Sequence, residues 1–260
     1  MNKHVVALCG SGLGNRICSI IGAQYIAEKS GSEFKIVWIP NHDCDCEYKD
    51  IFHTKHHTVF SVTDIINKYW CLEFSQKIKI EQDLNQWSTK LSAKFNNCIL
   101  YGNCLIPDYI KNKFITRCLS EYSLNPLVKS NYKQAIHDLS ITENDYGIHI
   151  RSTDGKHFMH NDVDHYYTFI KNNSDKRFFV MSDEKEIEDK FMCLDNVICT
   201  EKSEYPEYRS HANECYRNKQ SVVTSFVDLL VLSRTKIINT SASSFLKVAY
   251  LYKDVDINSL

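Results

Sequence analysis

The spacing of apolar positions changes period twice within the first forty residues. His4-Val5-Val6-Ala7-Leu8-Cys9 is a short continuous apolar run, the pattern of a strand covered on both faces. Past Gly10-Ser11-Gly12-Leu13-Gly14-Asn15, apolar side chains recur at Ile17, Ile20, Ile21 and Tyr25, which is one face of a helix, and Gly31 suits the position just beyond its end. Residues 34–39 read as a second strand stopped by Pro40, completing one βαβ unit. A second block begins at Tyr146: a strand over 146–151, a helix over 163–171, a strand over 177–181, a strand over 196–200, a helix over 221–233 and a strand over 236–240. A last helix begins within Ser241-Ala242-Ser243-Ser244. Asp183, with Glu186 three residues later, reads as a capping box. Residues 41–145 are less regular and carry short helical patterns such as 62–72. The alternation predicts an α/β fold with parallel sheets, divided near 138–145 into an N-terminal lobe of residues 1–140 and a C-terminal lobe of 141–260.

The chain has 260 residues, 43% of them hydrophobic and 24% charged, which is the make-up of a folded globular protein. A net charge of -1 gives no bulk attraction to nucleic acid or anionic membrane, so any anionic ligand must be held by a few local cations and backbone N–H groups. No leader-like segment follows Met1, and the best apolar stretch, 222–238, contains Asp228, Arg234 and Lys236; the expectation is a cytoplasmic protein without a membrane span. The 11 cysteines then read as buried free thiols. His42, Cys44, Cys46, His53, His56 and His57 include zinc-ligand types, but their spacing is not that of a structural zinc site, and the segment reads as a polar loop with reduced cysteines. Asp43 and Asp45 go with this loop, away from the phosphate motifs.

Three segments carry chemistry. The glycines of Gly10-Ser11-Gly12-Leu13-Gly14-Asn15-Arg16 lie between strand and helix, where backbone can approach a phosphate in front of a helix N-terminus; a tight turn without ligand fits equally well. In Gly147-Ile148-His149-Ile150-Arg151, alternation puts Ile148 and Ile150 on one face and His149 with Arg151 on the other, at the strand end where α/β sheets bind ligands. The planar fork of an arginine suits a diphosphate. Asp228 interrupts an apolar helix and needs a partner, for which the N–H edge of a guanine is one candidate. The hydroxyls of Ser243 and Ser244 suit either a helix cap or a phosphate.

Taken in order, these motifs, together with Trp38, Met181-Ser182-Asp183-Glu184 and Val227-Asp228-Leu229-Leu230-Val231-Leu232-Ser233, resemble the α1,6-fucosyltransferase superfamily, which spans N-glycan core enzymes, nodulation fucosyltransferases and protein O-fucosyltransferases. The resemblance touches residues 9–39 and 146–250. It implies a GT-B type fold of two Rossmann-like lobes, GDP-fucose as donor, a glycan or other hydroxyl acceptor, inversion at the anomeric carbon, and no cofactor or required metal. By position it implies that Arg151 stabilises the departing GDP, that His149 and Asp228 contact the guanine, and that Gly12, Gly14, Asn15 and Ser244 line the diphosphate, with Arg16, Asp183 and Ser243 also on the donor side. This sequence has Ser152 where core-type enzymes often carry a second arginine, and Phe245 where they carry glutamine. The loop Gly155-Lys156-His157-Phe158-Met159-His160 has no glutamate base, so either Asp154, Asp162 or Asp164 substitutes for it or the acceptor needs no strong base. A non-catalytic nucleotide-sugar or glycan-binding protein is the alternative, and an unrelated nucleotide-dependent α/β enzyme, such as a methyltransferase, is a third reading.

Overall fold

The computed structural model describes residues 4–53, 59–60, 92–95, 98–102, 106, 110–152, 163–209, 214–238 and 243–260. The N-terminal sheet has the order β3-β2-β1-β5-β4, formed by β1 (His4–Cys9), β2 (Glu33–Trp38), β3 (Val59–Phe60), β4 (Ser92–Phe95) and β5 (Cys98–Tyr101). Its strands run parallel except β4, which is antiparallel to β5. A second, all-parallel sheet has the order β11-β6-β7-β8, from β6 (Tyr146–Ile150), β7 (Phe178–Ser182), β8 (Val197–Ile198) and β11 (Lys236–Ile237). A small antiparallel ribbon pairs β9 (Glu207–Arg209) with β10 (Glu214–Tyr216). The helices are α1 (Leu13–Ser30), the single turn α2 (Tyr48–Ile51), α3 (Asn112–Ser120), α4 (Pro126–Asp138), α5 (Val163–Lys171), α6 (Lys185–Met192), α7 (Lys219–Leu232) and α8 (Ser244–Tyr252). None of the described helices is long and apolar enough to cross a membrane.

The sheets lie on either side of residue 140, yet they share a core. One cluster joins Val5 and Ala7 of β1, Ile17 and Ile21 of α1, Phe226 and Leu230 of α7, and Val248 and Tyr252 of α8. After its first turn α7 is mostly buried, and Phe226 to Leu232 are buried without a break, as expected of a helix packed on several sides. Ile148 and Ile150 of β6 pack with Phe178, Val180 and Phe191 in a second cluster on the far face of the C-terminal sheet. Alternation then sends His149 the other way, towards α8, where its ring lies 5.1 Å from that of Phe245. Asp145 fixes the start of β6: its carboxylate takes two hydrogen bonds from Arg177, at 2.8 and 2.7 Å, and one from the Thr142 N–H. Burial raises the Asp145 carboxyl, but Arg177 and Thr142 outweigh it and hold the group below its ordinary range.

Several boundaries differ from the sequence expectation. Gly31 does close α1 in the left-handed region, at φ 62. The strand expected over 196–200 is only Val197–Ile198, and that expected over 236–240 is Lys236–Ile237, with 239–242 outside the described residues. The expected helix over 62–72 also falls outside them. The capping box at Asp183 does not form: α6 starts at Lys185, its N-cap is Glu184 without a side-chain bond, and Asp183 Oδ1 instead accepts from the Ser152 N–H at 2.7 Å. Binding that strand-end amide holds Asp183 at the mouth of β6.

Candidate functional site

The starts of α1 and α8 meet at one cleft. An added Cβ on Gly14 would lie 2.6 Å from Phe245 N and 2.8 Å from Ser244 C, so the first turn of α1 packs directly against the backbone of α8. Gly14 is therefore needed first for this helix–helix approach. Gly12 is different: a Cβ there would meet no atom within 4 Å, and the residue faces the cleft. Gly12 is the N-cap of α1, no side chain caps that helix, and no acid stands in its first turn. An 18-residue helix therefore directs the positive end of its dipole at the cleft. On α8, Ser243 Oγ accepts from Phe245 N at 3.2 Å and is thereby used as the cap, while Ser244 lines the cleft.

From the C-terminal sheet, His149 and Arg151 line the same cleft, as the alternation along β6 predicts. His149 is buried, and its pKa is pushed down to about 4: burial is the main cause, the Arg151 and Lys202 charges add to it, and Asp183 opposes them. The imidazole is thus neutral at physiological pH. Asp183 and Asn15 complete the expected residues that line the cleft.

Besides Ser243, two expected donor residues do not line the cleft. Arg16 is fully buried: Nε donates to Ser11 O, one terminal nitrogen donates to Asn41 Oδ1 (3.2 Å) and Cys44 O (3.4 Å), and the guanidinium lies 4.7 Å from the Trp38 ring centre. It braces the loop 41–46 from within. Asp228 is also fully buried and does not line the cleft. Its partner is Lys202, 2.8 Å from Oδ2, while Thr200 donates to Oδ1. Lys202 also pairs with the buried Glu188 and donates to Ser182 O at 2.9 Å. Burial alone would lower the lysine pKa; Asp228 and Glu188 more than reverse this and raise it, whereas burial raises the Glu188 carboxyl despite Lys202. The partner that an acid in an apolar helix demands is thus supplied within the protein.

Asp154 and Asp162 lie outside the described residues, and Asp164 is 87% exposed and paired with Lys190. The loop 41–46 corrects the sequence expectation, because Asp43 lines the cleft. Cys44 and Cys46 are buried core thiols with their sulfurs 3.6 Å apart, and both are free. His42 lies 3.7 Å from Asp43; His56 and His57 lie outside the described residues, among which no group of three or more ligand-type side chains could hold a metal ion. The cleft also has lining groups the sequence did not single out: Arg217, Pro206, Val222 and Ser225. Val222 and Ser225 lie on α7, but Pro206 immediately precedes β9 and Arg217 immediately follows β10, outside any regular element, where periodicity gives no signal.

No family model matches the chain, and no curated protein matches it by sequence. Among solved structures it is similar to NodZ α1,6-fucosyltransferase soaked with GDP-fucose, at 15% identity and a TM-score of 0.64 over 96% of this chain and 92% of that one. It is also similar to the R284K mutant of Arabidopsis thaliana FUT1 in complex with GDP, at 12% identity and a TM-score of 0.59, covering 98% of this chain and 69% of that one. A third similar structure is POFUT1 in complex with GDP, at 11% identity and a TM-score of 0.51 over 98% and 95% of the two chains. The fold is the α/β arrangement with parallel sheets of these GT-B fucosyltransferase structures.

Proposed function

We propose that the chain is a glycosyltransferase that binds a GDP-sugar in this cleft and transfers fucose from GDP-fucose to a hydroxyl acceptor with inversion. The observation that carries the reading is the convergence of two helix starts and Arg151 on one cleft at the end of β6. The neighbours' bound GDP and GDP-fucose support the choice of donor. In this reading the acceptor oxygen attacks the anomeric carbon opposite the diphosphate, the bond from that carbon to the β-phosphate oxygen breaks, and the acceptor proton passes to a carboxylate. Asp43 and Asp183 are the carboxylates lining the cleft among the described residues. Arg151 and the N–H groups at the starts of α1 and α8 meet the charge growing on the leaving diphosphate. That charge therefore does not call for a metal ion, and activity should survive EDTA. Both Asp228 oxygens are already held by Lys202 and Thr200, so recognition of the base falls to the cleft-lining groups.

The test is thermal-shift titration with GDP, UDP and S-adenosylmethionine, followed by GDP release from GDP-fucose by wild type and Arg151→Ala. GDP should stabilise the protein, and removing one charge-stabilising donor should lower kcat by roughly 10²–10³ while binding weakens less. Absence of any GDP effect sinks the donor assignment. Donor binding without hydrolysis or transfer to any acceptor would favour a binding protein of the same fold.

A further inference from the structure

Arg217 lines the cleft and is placed there by non-local backbone contacts. It falls between β10 and the N-cap of α7, Asn218, and its main chain is clipped on both sides to the loop 41–46. Its N–H donates to His42 O at 2.8 Å, and its carbonyl accepts from Asp45 N at 2.9 Å. Tyr216, the residue before it, donates its hydroxyl to Asp45 Oδ2. The side chain lies between two cleft carboxylates, with NH1 3.6 Å from Asp43 Oδ1 and NH2 4.0 Å from Asp183 Oδ2. Asp43 and Asp183 thus flank the guanidinium, each close enough to orient its charge. Asp183 is in turn bonded to the Ser152 amide, next to Arg151. Arg151 and Arg217 therefore approach one cleft from different elements, with Asp183 between them.

We propose that Arg217 is a second guanidinium for the donor diphosphate, acting on the β-phosphate with Arg151, and that Asp43 is its positioning residue. A diphosphate is a concentrated anion, and the bidentate fork of an arginine matches its oxygens. Strand β6 offers only one such group, because Ser152 follows Arg151. Arg217 supplies the other from the α7 side. This assignment rests on the donor reading above.

The experiment compares GDP, GMP and inorganic pyrophosphate by calorimetry on wild type, Arg217→Ala, Arg217→Gln, Arg217→Lys and Asp43→Asn, each first checked for a wild-type circular dichroism spectrum. Loss of a charge-assisted contact to the β-phosphate should weaken GDP by roughly 10–100-fold while GMP, which lacks that group, changes less than about threefold. Lysine should restore the affinity only in part. Asp43→Asn should weaken GDP several-fold, and adding it to Arg217→Ala should cost nothing further, the signature of a residue acting through another. An unchanged ratio of GDP to GMP affinity in Arg217→Gln overturns the proposal, even if Arg217→Ala fails to fold. If wild type binds pyrophosphate but no nucleotide, the donor reading fails, and loss of pyrophosphate in Arg217→Gln still supports the assignment. If wild type binds neither GDP nor pyrophosphate, both fall.

Discussion

Replacing Gly14 by alanine tests whether the meeting of two helix starts holds the site together. The new methyl carbon would sit 2.6 Å from Phe245 N and 2.8 Å from both Phe245 Cα and Ser244 C, all backbone atoms. Ordinary contact begins near 3.4 Å, so the start of α8 must retreat from α1 by about 3.4 − 2.6 = 0.8 Å. No rotamer change relieves this, because the obstacle is main chain whose first turn is fixed by the Ser243 cap. Overpacking of this kind costs typically 1–3 kcal/mol. Alanine in the first turn of a helix returns at most about 1 kcal/mol relative to glycine. The net expectation is a loss of up to about 2 kcal/mol, and a chain of this size loses roughly 2–4 °C of Tm per kcal/mol. Displacing an N–H array by most of an ångström should also weaken GDP, since ligand geometry at this scale governs charge-assisted contacts. Gly12→Ala is the comparison: its Cβ meets nothing within 4 Å and its φ of -58 suits any residue, so it should lose only the roughly 0.5–1 kcal/mol by which alanine is a poorer N-cap than glycine, with no displacement of α8. Differential scanning calorimetry and GDP titration of the two variants decide the matter. A Gly14→Ala protein as stable as wild type, with unchanged GDP affinity, would refute the reasoning.

His149 has a folded pKa pushed from 6.5 to about 4, mainly by burial. Between those values the unfolded chain binds the proton that the fold excludes, so stability falls as pH drops from 6.5 towards 4, by about 3 kcal/mol in all and about 2 by pH 5. Urea midpoints at pH 7.5 and 5 should differ less in His149→Gln than in wild type; equal pH slopes would contradict the account. Lys202→Met should cost about 3–5 kcal/mol at pH 7, because it leaves Asp228 and Glu188 buried without their cation. The deficit should shrink at pH 5, because burial raises the Glu188 carboxyl and lets it take a proton in place of the lysine's charge. A loss under about 1 kcal/mol, below the usual effect of breaking a buried pair, would show that solvent already reaches the network.

The parts of the fold readable in advance were those set by local periodicity. The strand and helix around the glycine loop, the Gly31 stop and the two faces of β6 each follow from a spacing of two or three to four residues. The strands expected at 196–200 and 236–240 appear as Val197–Ile198 and Lys236–Ile237, because an apolar run marks burial and not the extent of hydrogen-bonded pairing. Asp228 shows where the chemistry stops being legible. Its need for a partner was evident from the apolar helix around it, but Lys202 stands 26 positions earlier in a polar stretch that gives no hint of burial. Arg217 was hidden for the same reason, since a non-local backbone clip and not a pattern directs it into the cleft.

Arg16 adds a further step, because its position in the motif suggested ligand contact while its surroundings assign it a different part in the same site. A fully buried guanidinium requires electron-rich neighbours, and among the described residues Arg16 finds carbonyls, an amide oxygen and the Trp38 ring, with no carboxylate pairing with it. Two of those acceptors, Asn41 Oδ1 and Cys44 O, belong to the loop 41–46. Asn41 also donates from its side chain to Gly10 O at 2.5 Å, returning to the glycine loop. The same loop carries Asp43 into the cleft and, through His42 O and Asp45 N, holds the main chain of Arg217. The arginine that closes the glycine motif therefore stands at one end of a hydrogen-bonded path whose other end is a second cleft arginine. Its charge stays inside the protein, where the donors it presents shape the loop, and in the reading proposed above contact with the anion falls to Arg151, Arg217 and the helix starts.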